Sequence, residues 1–309
     1  MSVIEARGIS KSFEDRWVLN NVNFQVEEGD IFGYLGPNGA GKTTTMRIML
    51  GLLKPTHGEA LIRGRDMATD GEMRKRVGVL LEKNGIYDRL TAHDNLQYFA
   101  RLYGVDDVER RIKEQLELVG LTDRRDQKAG KFSKGMKQRL GLARALMHEP
   151  EIMFLDEPSS GLDPEAQKMM RDIILEMSKK KRITVFLNSH NLDEVQRVCN
   201  RIAILQHGTI RAYDSVENMR STYSRPMMEF TFRDETMARK AQMVLATMTG
   251  GEGVFLNGIV VQVASDSVPA EDLIENLVKN GVRVTEAKRM KMSLEEVYID
   301  IIKQAGAGP

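Results

Sequence analysis

The sequence has little of what marks secreted, membrane-spanning or nucleic-acid-binding chains. Its 309 residues include one cysteine, Cys199, so no disulfide can form within the chain, which favours a reducing compartment. The formal net charge is +1, so no overall field favours anionic partners, and we expect no nucleic-acid partner. No run of about eighteen apolar residues occurs. The first residues lack a basic stretch followed by an apolar run, so we expect neither a spanning helix nor a signal peptide.

Short apolar runs and helix signals alternate through the first two thirds of the chain. The runs at residues 31–35, 152–155 and 184–187 are too short for helices and predict interior parallel strands. Helix starts are predicted at Thr91, with Asp94 three residues later, and at Asp163-Pro164. Alternating strands and helices predict a doubly wound α/β layer.

The pattern changes around residues 221–226, and the remainder predicts the order β-α-β-β-α-β. That order is typical of a ferredoxin-like unit. A final helix is predicted to open at Ser293. The predicted domains are therefore 1–222 and 223–309, the second a small accessory α+β domain. The segments that give the order are a strand at 228–232, a helix at 236–248, strands at 254–256 and 259–264 joined through Asn257-Gly258, a helix from Pro269 and a strand from Val282.

A glycine-rich segment between a predicted strand and a predicted helix fits the pattern G-x-x-x-x-G-K-[ST]. Successive backbone N–H groups in such a turn converge on phosphate oxygens, and the helix N-terminus adds a favourable dipole. Lys42 is expected to reach the β- and γ-phosphates, and Thr43 to offer its hydroxyl to Mg²⁺. The alternative is an ordinary glycine-rich turn. Such a turn has no reason to match every fixed position of the pattern, so the match favours the phosphate loop. The candidate ATP-binding residues here are Gly36, Pro37, Asn38, Gly39, Ala40, Gly41, Lys42, Thr43 and Thr44.

Two acids end the apolar strand predicted at residues 152–155. Asp156 at the strand tip is placed to hold Mg²⁺, and Glu157 is placed to polarise the water that attacks the γ-phosphate. Four apolar residues before Asp-Glu are common, and a strand leaving the core would explain them equally. The phosphate loop upstream favours the metal and catalytic roles.

The segment at residues 132–139 offers a second anion-binding helix start, with Ser133 and Gly135. Here the sequence resembles the ATP-binding cassette (ABC) family, whose signature is LSGGQ; Phe132, Lys134 and Met136 replace three of its positions. Residues 160–163 match the family's D-loop. His190 matches the switch histidine, and Phe13 the aromatic residue that stacks on adenine, with Trp17 as a second candidate. The resemblance covers roughly residues 3 to 215.

One position departs from the family pattern. Glu82 stands where the family has the glutamine of its glutamine loop, which meets the Mg²⁺ site and lies beside the contact with the membrane subunit. A carboxylate can still take a metal-bound water, so we expect altered coupling rather than inactivity. A lone glutamate at a strand end is otherwise a solvated residue.

The resemblance implies a fold, cofactors and partners. The fold is an ABC ATPase domain: a P-loop core, an antiparallel β subdomain and a helical subdomain at about 85–150. ATP and Mg²⁺ are the implied cofactors, with Lys42, Glu157 and His190 in catalysis. One phosphate loop and one signature per chain imply a homodimer with shared sites. The accessory region ending in residues 293–298 resembles the branch of multidrug, antibiotic and sodium exporters, which implies separate permease subunits and a cytoplasmic, peripheral location at the inner face of the membrane.

Two alternatives to this interpretation stay open. The first is a soluble ABC ATPase acting on a macromolecular complex; those proteins usually carry two cassettes or long coiled-coil insertions. The second concerns the loop at residues 82–91. Ile86, Tyr87 and Leu90 are expected to receive a short permease helix, but Tyr87 and Leu90 would instead be structural if they pack under the helix that begins at Thr91.

Overall fold

A computed structural model describes residues 2–14, 16–223, 227–250, 253–265, 268–290 and 294–306. Contacts divide the chain into two compact units. The first unit runs to Val216 and takes in the chain again from Ile301, and the second, the accessory unit, is Glu217–Asp300. The functional domain limit at residues 222 and 223 stays a prediction. Among the described residues no helix combines the length and apolar character needed to cross a bilayer.

The first unit, up to Val216, contains nine strands and seven α-helices among its described residues. Two short 3-10 helices, Thr122–Arg124 and Ala129–Lys131, precede its fifth helix. In chain order the elements are β1 (Ser2–Phe13), β2 (Arg16–Glu27), β3 (Ile31–Leu35), α1 (Lys42–Met49), β4 (His57–Ile62), α2 (Gly71–Arg74), β5 (Val77–Leu80), α3 (Ala92–Tyr103), α4 (Val108–Leu118), α5 (Lys134–Ala145), β6 (Ile152–Asp156), α6 (Pro164–Lys181), β7 (Thr184–Ser189), α7 (Leu192–Val198), β8 (Arg201–Gln206) and β9 (Thr209–Ser215).

The main sheet has the strand order β5-β6-β7-β3-β8-β9. Its first five strands are parallel and β9 is antiparallel to β8. Every residue of β3, β6 and β7 is buried, and most are apolar, which confirms the predicted interior strands. A second sheet, β2-β1-β4, is antiparallel. Phe24 of β2 lies 5.4 Å from Phe32 of β3 between ring centroids, so aromatic packing joins the two sheets.

The helical region between β5 and β6 begins as the sequence predicted. Thr91 caps α3 by accepting the Asp94 N–H at 3.0 Å, and Leu96 and Ala100 of this helix are buried. The side chain of Asn95, also buried, hydrogen-bonds the backbone of Tyr87. α6 begins at Pro164 and is capped by Asp163, again as predicted.

The accessory unit has the predicted β-α-β-β-α-β order. Its four strands form one sheet that is antiparallel throughout, which is the strand arrangement of a ferredoxin-like unit. Their order across the sheet is Val254–Asn257, Val260–Ala264, Met227–Phe232 and Val284–Met290. Its last strand begins at Val284 rather than at Val282, and Ser293 lies outside the described residues. The remaining elements of the chain are α8 (Val216–Tyr223), β10 (Met227–Phe232), α9 (Glu235–Thr249), β11 (Val254–Asn257), β12 (Val260–Ala264), α10 (Ala270–Lys279), β13 (Val284–Met290) and α11 (Leu294–Gly306).

Candidate active site

Four neighbouring parallel strands end at one edge of the main sheet. Leu80 of β5 lies beside Leu155 of β6, and Asp156 lies beside Asn188 of β7. Ser189 in turn lies beside Leu35 of β3. The loops that follow these strands therefore meet at the carboxyl edge of the sheet, where open α/β sheets bind their ligands.

The phosphate loop connects β3 to α1 and depends on glycine at two positions. Gly41, the N-cap of α1, has φ 110°, and a Cβ there would lie 2.5 Å from the Leu19 side chain. A Cβ on Gly36 would lie 2.3 Å from the Leu205 carbonyl oxygen. Glycine is therefore required both by the backbone conformation and by close packing against β2 and β8.

The Lys42 side chain is held at the centre of the loop. Its ammonium donates hydrogen bonds to the Gly36 carbonyl at 2.7 Å and the Pro37 carbonyl at 3.2 Å, and the residue is 7% exposed. Burial lowers its pKa, whereas the carboxylates of Glu157 and Asp156 act in the opposite direction. The charge of Lys42 thus faces two acids at the mouth of the loop.

Glu157 and His190 contact each other. Glu157 follows β6 with a left-handed backbone (φ 51°), and its N–H donates to the Asn188 carbonyl at 2.8 Å. Its Oε2 lies 2.8 Å from Nδ1 of His190, which follows β7. A non-glycine residue in this conformation is held by its surroundings, and such residues cluster at functional sites.

Asp156 is a buried carboxylate at the tip of β6, 5% exposed. Burial raises its pKa, and the charges of Glu157 and Glu82 raise it further. The Asn188 amide donates to Asp156 Oδ1 and, with Lys42, opposes that rise. Glu82 follows β5 and is exposed. Three carboxylates from neighbouring strand ends thus surround one space.

That space, the strand-end cleft, has a volume of about 440 Å³. The structure brings into it most of the residues predicted from the phosphate loop and the acids. Gly36, Pro37 and Ala40 belong to the loop but do not line the cleft, and neither do Phe13, Ser133 and Gly135. The lining residues are Val18, Asn38, Gly39, Gly41, Lys42, Thr43, Thr44, Glu82, Asp156, Glu157, Ser160, Asn188 and His190.

Ser133 and Gly135 lie at the N-terminus of α5. Ser133 is exposed, and its hydroxyl accepts the Met136 N–H at 3.2 Å. Gly135 is buried, and a Cβ there would lie 3.1 Å from the Ala166 Cβ of α6. This helix end is therefore a preformed, capped N-terminus that presents Ser133 to solvent.

Two aromatic side chains are candidates for stacking on adenine. Phe13 ends β1 and is half exposed, with the Lys11 ammonium 5.0 Å from its ring centroid. Trp17 of β2 is also exposed and stacks on His57 with ring centroids 6.0 Å apart. The adjacent Val18 lines the strand-end cleft. The β1–β2 hairpin thus carries one lining residue, and the stacking role of Phe13 stays a prediction.

The sequence alone did not single out three of the lining residues. Val18 and Ser160 lacked any chemical signal of their own, although Ser160 opens the predicted D-loop. Asn188 had a signal that was available: it sits two residues before His190 at the end of an interior strand, where a polar side chain is unusual. Its amide is the group that holds Asp156.

The comparison with known proteins agrees with this geometry. Residues 19–160 match the sequence model of the ABC transporter family. The bacitracin transport ATP-binding protein BcrA of Bacillus licheniformis is 36% identical over 302 residues, which is 97% of each chain. The chain belongs to the ABC transporter family. The ABC transporter ATP-binding protein YhcH of Bacillus subtilis (strain 168) is likewise 36% identical, over 97% of this chain and 96% of YhcH.

The solved structures agree with this assignment. An ATP-binding subunit of an ABC transporter, 31% identical in sequence, superposes with a TM-score of 0.65 over 72% of this chain and 93% of that one. The chain is therefore an ABC transporter ATP-binding subunit and an ATPase.

The structure supports in part the alternative that Tyr87 and Leu90 pack under the helix that begins at Thr91. The Tyr87 ring packs on Phe99 at 6.2 Å and edge-on against Tyr98 at 5.4 Å between centroids, so it does lie against α3. Tyr87 is nonetheless exposed, and Leu90 is half-buried. A groove of about 480 Å³, the Leu81 groove, is lined by Lys83 and Gly85 of the loop that contains Tyr87 and by Leu81 just before it. The other lining residues come from α2, β5, α3 and α5, from the segment after α1 and from the segments that flank α2.

Proposed function

We propose that this chain energises an exporter, and that two copies close over two nucleotides, each held between one copy's strand-end cleft and the other copy's Ser133. One observation carries the proposal. The groups suited to the phosphates, the metal and the attacking water line one cleft, whereas the second anion-binding helix end, at Ser133, lies outside that lining. A second copy of the chain can supply the missing helix end.

Each cleft residue has a chemical role in this proposal. The Lys42 ammonium and the N–H groups of the phosphate loop bind the β- and γ-phosphates. The Glu157 carboxylate accepts the proton of the attacking water, and His190, 2.8 Å from it, keeps that carboxylate in place. Closure over the γ-phosphate holds the dimer together, and loss of that phosphate releases it.

The donors in the cleft fit a magnesium ion. The Thr43 hydroxyl and the carboxylates of Asp156 and Glu82 are hard oxygen donors, which Mg²⁺ prefers. The Oδ1 of buried Asn188, which also lines the cleft, has no hydrogen-bond partner among the described residues. We assign Thr43, Asp156 and Glu82 to the metal, directly or through water. Bound there, the metal would neutralise charge on the β- and γ-phosphates.

The role in export rests on the relatives and on the Leu81 groove. BcrA of B. licheniformis is named for bacitracin transport. Apolar side chains, including Leu52 and Leu81, line the groove together with cationic ones, and no acid is found among the described residues that line it. The cationic residues are Arg74, Lys75, Lys83 and Arg144. Its proposed occupant is a short permease helix with an apolar face and acidic residues, which would hold the subunit at the inner face of the membrane.

The docking proposal predicts that Leu52→Glu detaches the subunit from its membrane. Leu52 is 66% exposed, so the fold tolerates the change, but a carboxylate in the groove would be buried by the permease helix. The measurement is the fraction of the chain that sediments with membranes of its native cells. Leu102→Glu is the matched control, because Leu102 is 64% exposed and does not line the groove.

Membrane association should be lost in Leu52→Glu and kept in Leu102→Glu, with ATPase activity of the purified protein unchanged in both. Equal association of the two variants would reject the groove as the docking site. If the wild-type chain never sediments with membranes, the exporter role fails and a soluble ABC ATPase acting on a macromolecular complex takes its place.

Closure of two copies is tested by Glu157→Gln. This variant should bind ATP and hydrolyse it about 10²–10⁴-fold more slowly, because the group that accepts the water's proton is gone. It should therefore accumulate as a dimer in size-exclusion chromatography with ATP and Mg²⁺, and remain a monomer without nucleotide. A variant that stays monomeric with bound ATP would contradict the shared site.

A further inference from the structure

The loop between β6 and α6 and the loop between β7 and α7 contact each other at two places, one at the surface and one buried. At the surface, Glu157 and His190 contact each other in the strand-end cleft. Beneath them, the Ser159 hydroxyl donates a hydrogen bond to the Glu194 carboxylate. Ser159 belongs to the loop between β6 and α6, whereas Glu194 lies in the first turn of α7, directly after the His190 loop. Both are buried, with 3% and 7% of their surface exposed.

Glu194 also contacts its own loop, through its backbone. Its N–H donates to the Asn191 side chain at 3.1 Å, and the Asn191 N–H donates to the Ser189 hydroxyl at 3.0 Å. Burial raises the pKa of Glu194, and the charge of Glu157 adds to the rise, while the hydrogen bond from Ser159 opposes it. Glu194 therefore binds both loops, one through its carboxylate and the other through its backbone N–H.

Burying a carboxylate costs desolvation free energy, so stability alone does not explain an acid at position 194. An apolar side chain would fill the same space without the desolvation cost of an acid. A hydrogen bond has a fixed direction, so the acid holds Ser159 in one position relative to the start of α7. The neighbouring residues Glu157 and His190 are thereby held relative to each other. The Glu157 N–H also donates a hydrogen bond to the Asn188 carbonyl at 2.8 Å, which joins the end of β6 to the end of β7.

We propose that Glu194 is a positioning residue, which through Ser159 couples the loop at residues 160–163 to the Glu157–His190 pair. Ser160 lines the cleft, and Gly161 and Asp163 are exposed. A displacement of this exposed loop moves Ser159, and the Ser159–Glu194 bond transmits it to the His190 loop. In the proposed dimer, the second copy of the chain would displace this loop when the two copies close. Only this source of the displacement rests on the proposed function.

The test compares Ser159→Ala, Glu194→Ala, the double variant and Glu194→Gln in the full chain. Affinity for a fluorescent ATP analogue should be unchanged, because none of these side chains is assigned to the nucleotide. The kcat for ATP hydrolysis should fall roughly ten- to hundredfold in Ser159→Ala and Glu194→Ala, the size expected for a small misplacement of a catalytic group. Glu194→Gln keeps an acceptor oxygen and should retain most of the activity.

The double variant distinguishes coupling from two independent defects. If the bond acts as a unit, the double variant should be no slower than the slower single variant. Asp193→Ala is the control on the same helix; Asp193 is exposed and pairs with Arg197, so its loss should leave kcat unchanged. Thermal unfolding of each variant checks that the fold is kept; if Glu194→Ala does not fold, Ser159→Ala carries the test.

Wild-type kcat in Ser159→Ala, or losses that multiply in the double variant, would overturn the inference. Loss of nucleotide affinity in proportion to kcat would also overturn it, because that pattern indicates a distorted cleft. The proposed dimer fails separately, when Glu157→Gln remains monomeric with ATP. The kinetic comparison of Ser159 and Glu194 is unaffected by that result.

Discussion

Two helix N-termini of the first unit have a phosphate-binding sequence pattern, yet their surroundings differ. α1 begins after Gly41, and no described side chain caps it, so its N–H groups remain available in the cleft beside Lys42. α5 begins after Ser133, whose hydroxyl already accepts one N–H, and it is exposed. The α1 end is suited to bind a phosphate inside the cleft, whereas the α5 end is suited to bind a phosphate presented by another molecule.

The two helix ends also differ in the charge of the side chains near them. The α1 end faces three carboxylates, Glu82, Asp156 and Glu157. The α5 end is flanked in sequence by Lys131, Lys134 and Lys137, and its first turn contains no acid. Lys137 pairs with Asp88 at 2.8 Å, which leaves lysines in excess there. An end that faces three acids suits a phosphate that comes with a divalent cation, and an end flanked by an excess of lysines suits a phosphate whose charge is only partly neutralised.

The strongest test of this comparison damages one end at a time. Lys42→Ala removes the charge at the α1 end, and Ser133→Arg fills the α5 end with a bulky side chain. Each variant alone should lose nearly all ATPase activity. Mixed, they should recover roughly a quarter of the wild-type rate, because half of the dimers formed at random are mixed and each mixed dimer has one intact site out of two. The measurement is phosphate release by the mixture.

A mixture of Lys42→Ala with Glu157→Gln is the matched control. Both changes lie in the same cleft, so no mixed dimer has an intact site, and activity should stay at the level of the single variants. If the Lys42→Ala and Ser133→Arg mixture behaves like this control, the two ends act within one chain, or not at all, and the comparison between them loses its functional meaning.

The sequence predicted the elements of the cleft better than their connections. Hydrophobic runs and capping residues are local, so the strands ending at Leu35 and Asp156 and the start of α6 followed from a few neighbouring residues. Sheet order is not local, and the adjacency of Asp156 and Asn188 appeared only in the structure. The Ser159–Glu194 bond spans 35 residues and joins two common polar residue types, so no pattern announces it. Tyr87 was ambiguous because its ring both packs on α3 and stays exposed.

The smallest predicted effect concerns Glu82, one of the three carboxylates that distinguish the α1 end from the α5 end. Glu82→Gln keeps the size of the side chain but removes one of three carboxylates from the cleft. With Mg²⁺ present, nucleotide binding should weaken, because the cation loses a charged oxygen donor. With EDTA, binding should tighten, because one negative charge no longer repels the phosphates.

The predicted quantity is the ratio of the two dissociation constants of a fluorescent ATP analogue, measured with EDTA and with Mg²⁺. Glu82 is exposed, so each effect is on the order of 0.5 kcal/mol and the ratio should fall about fivefold. Glu72→Gln is the control, an exposed glutamate that does not line the cleft and should leave the ratio unchanged. A Glu82→Gln ratio equal to that of the wild type would mean that this carboxylate does not act on the metal or the phosphates, and that the acidic end of α1 consists of Asp156 and Glu157 alone.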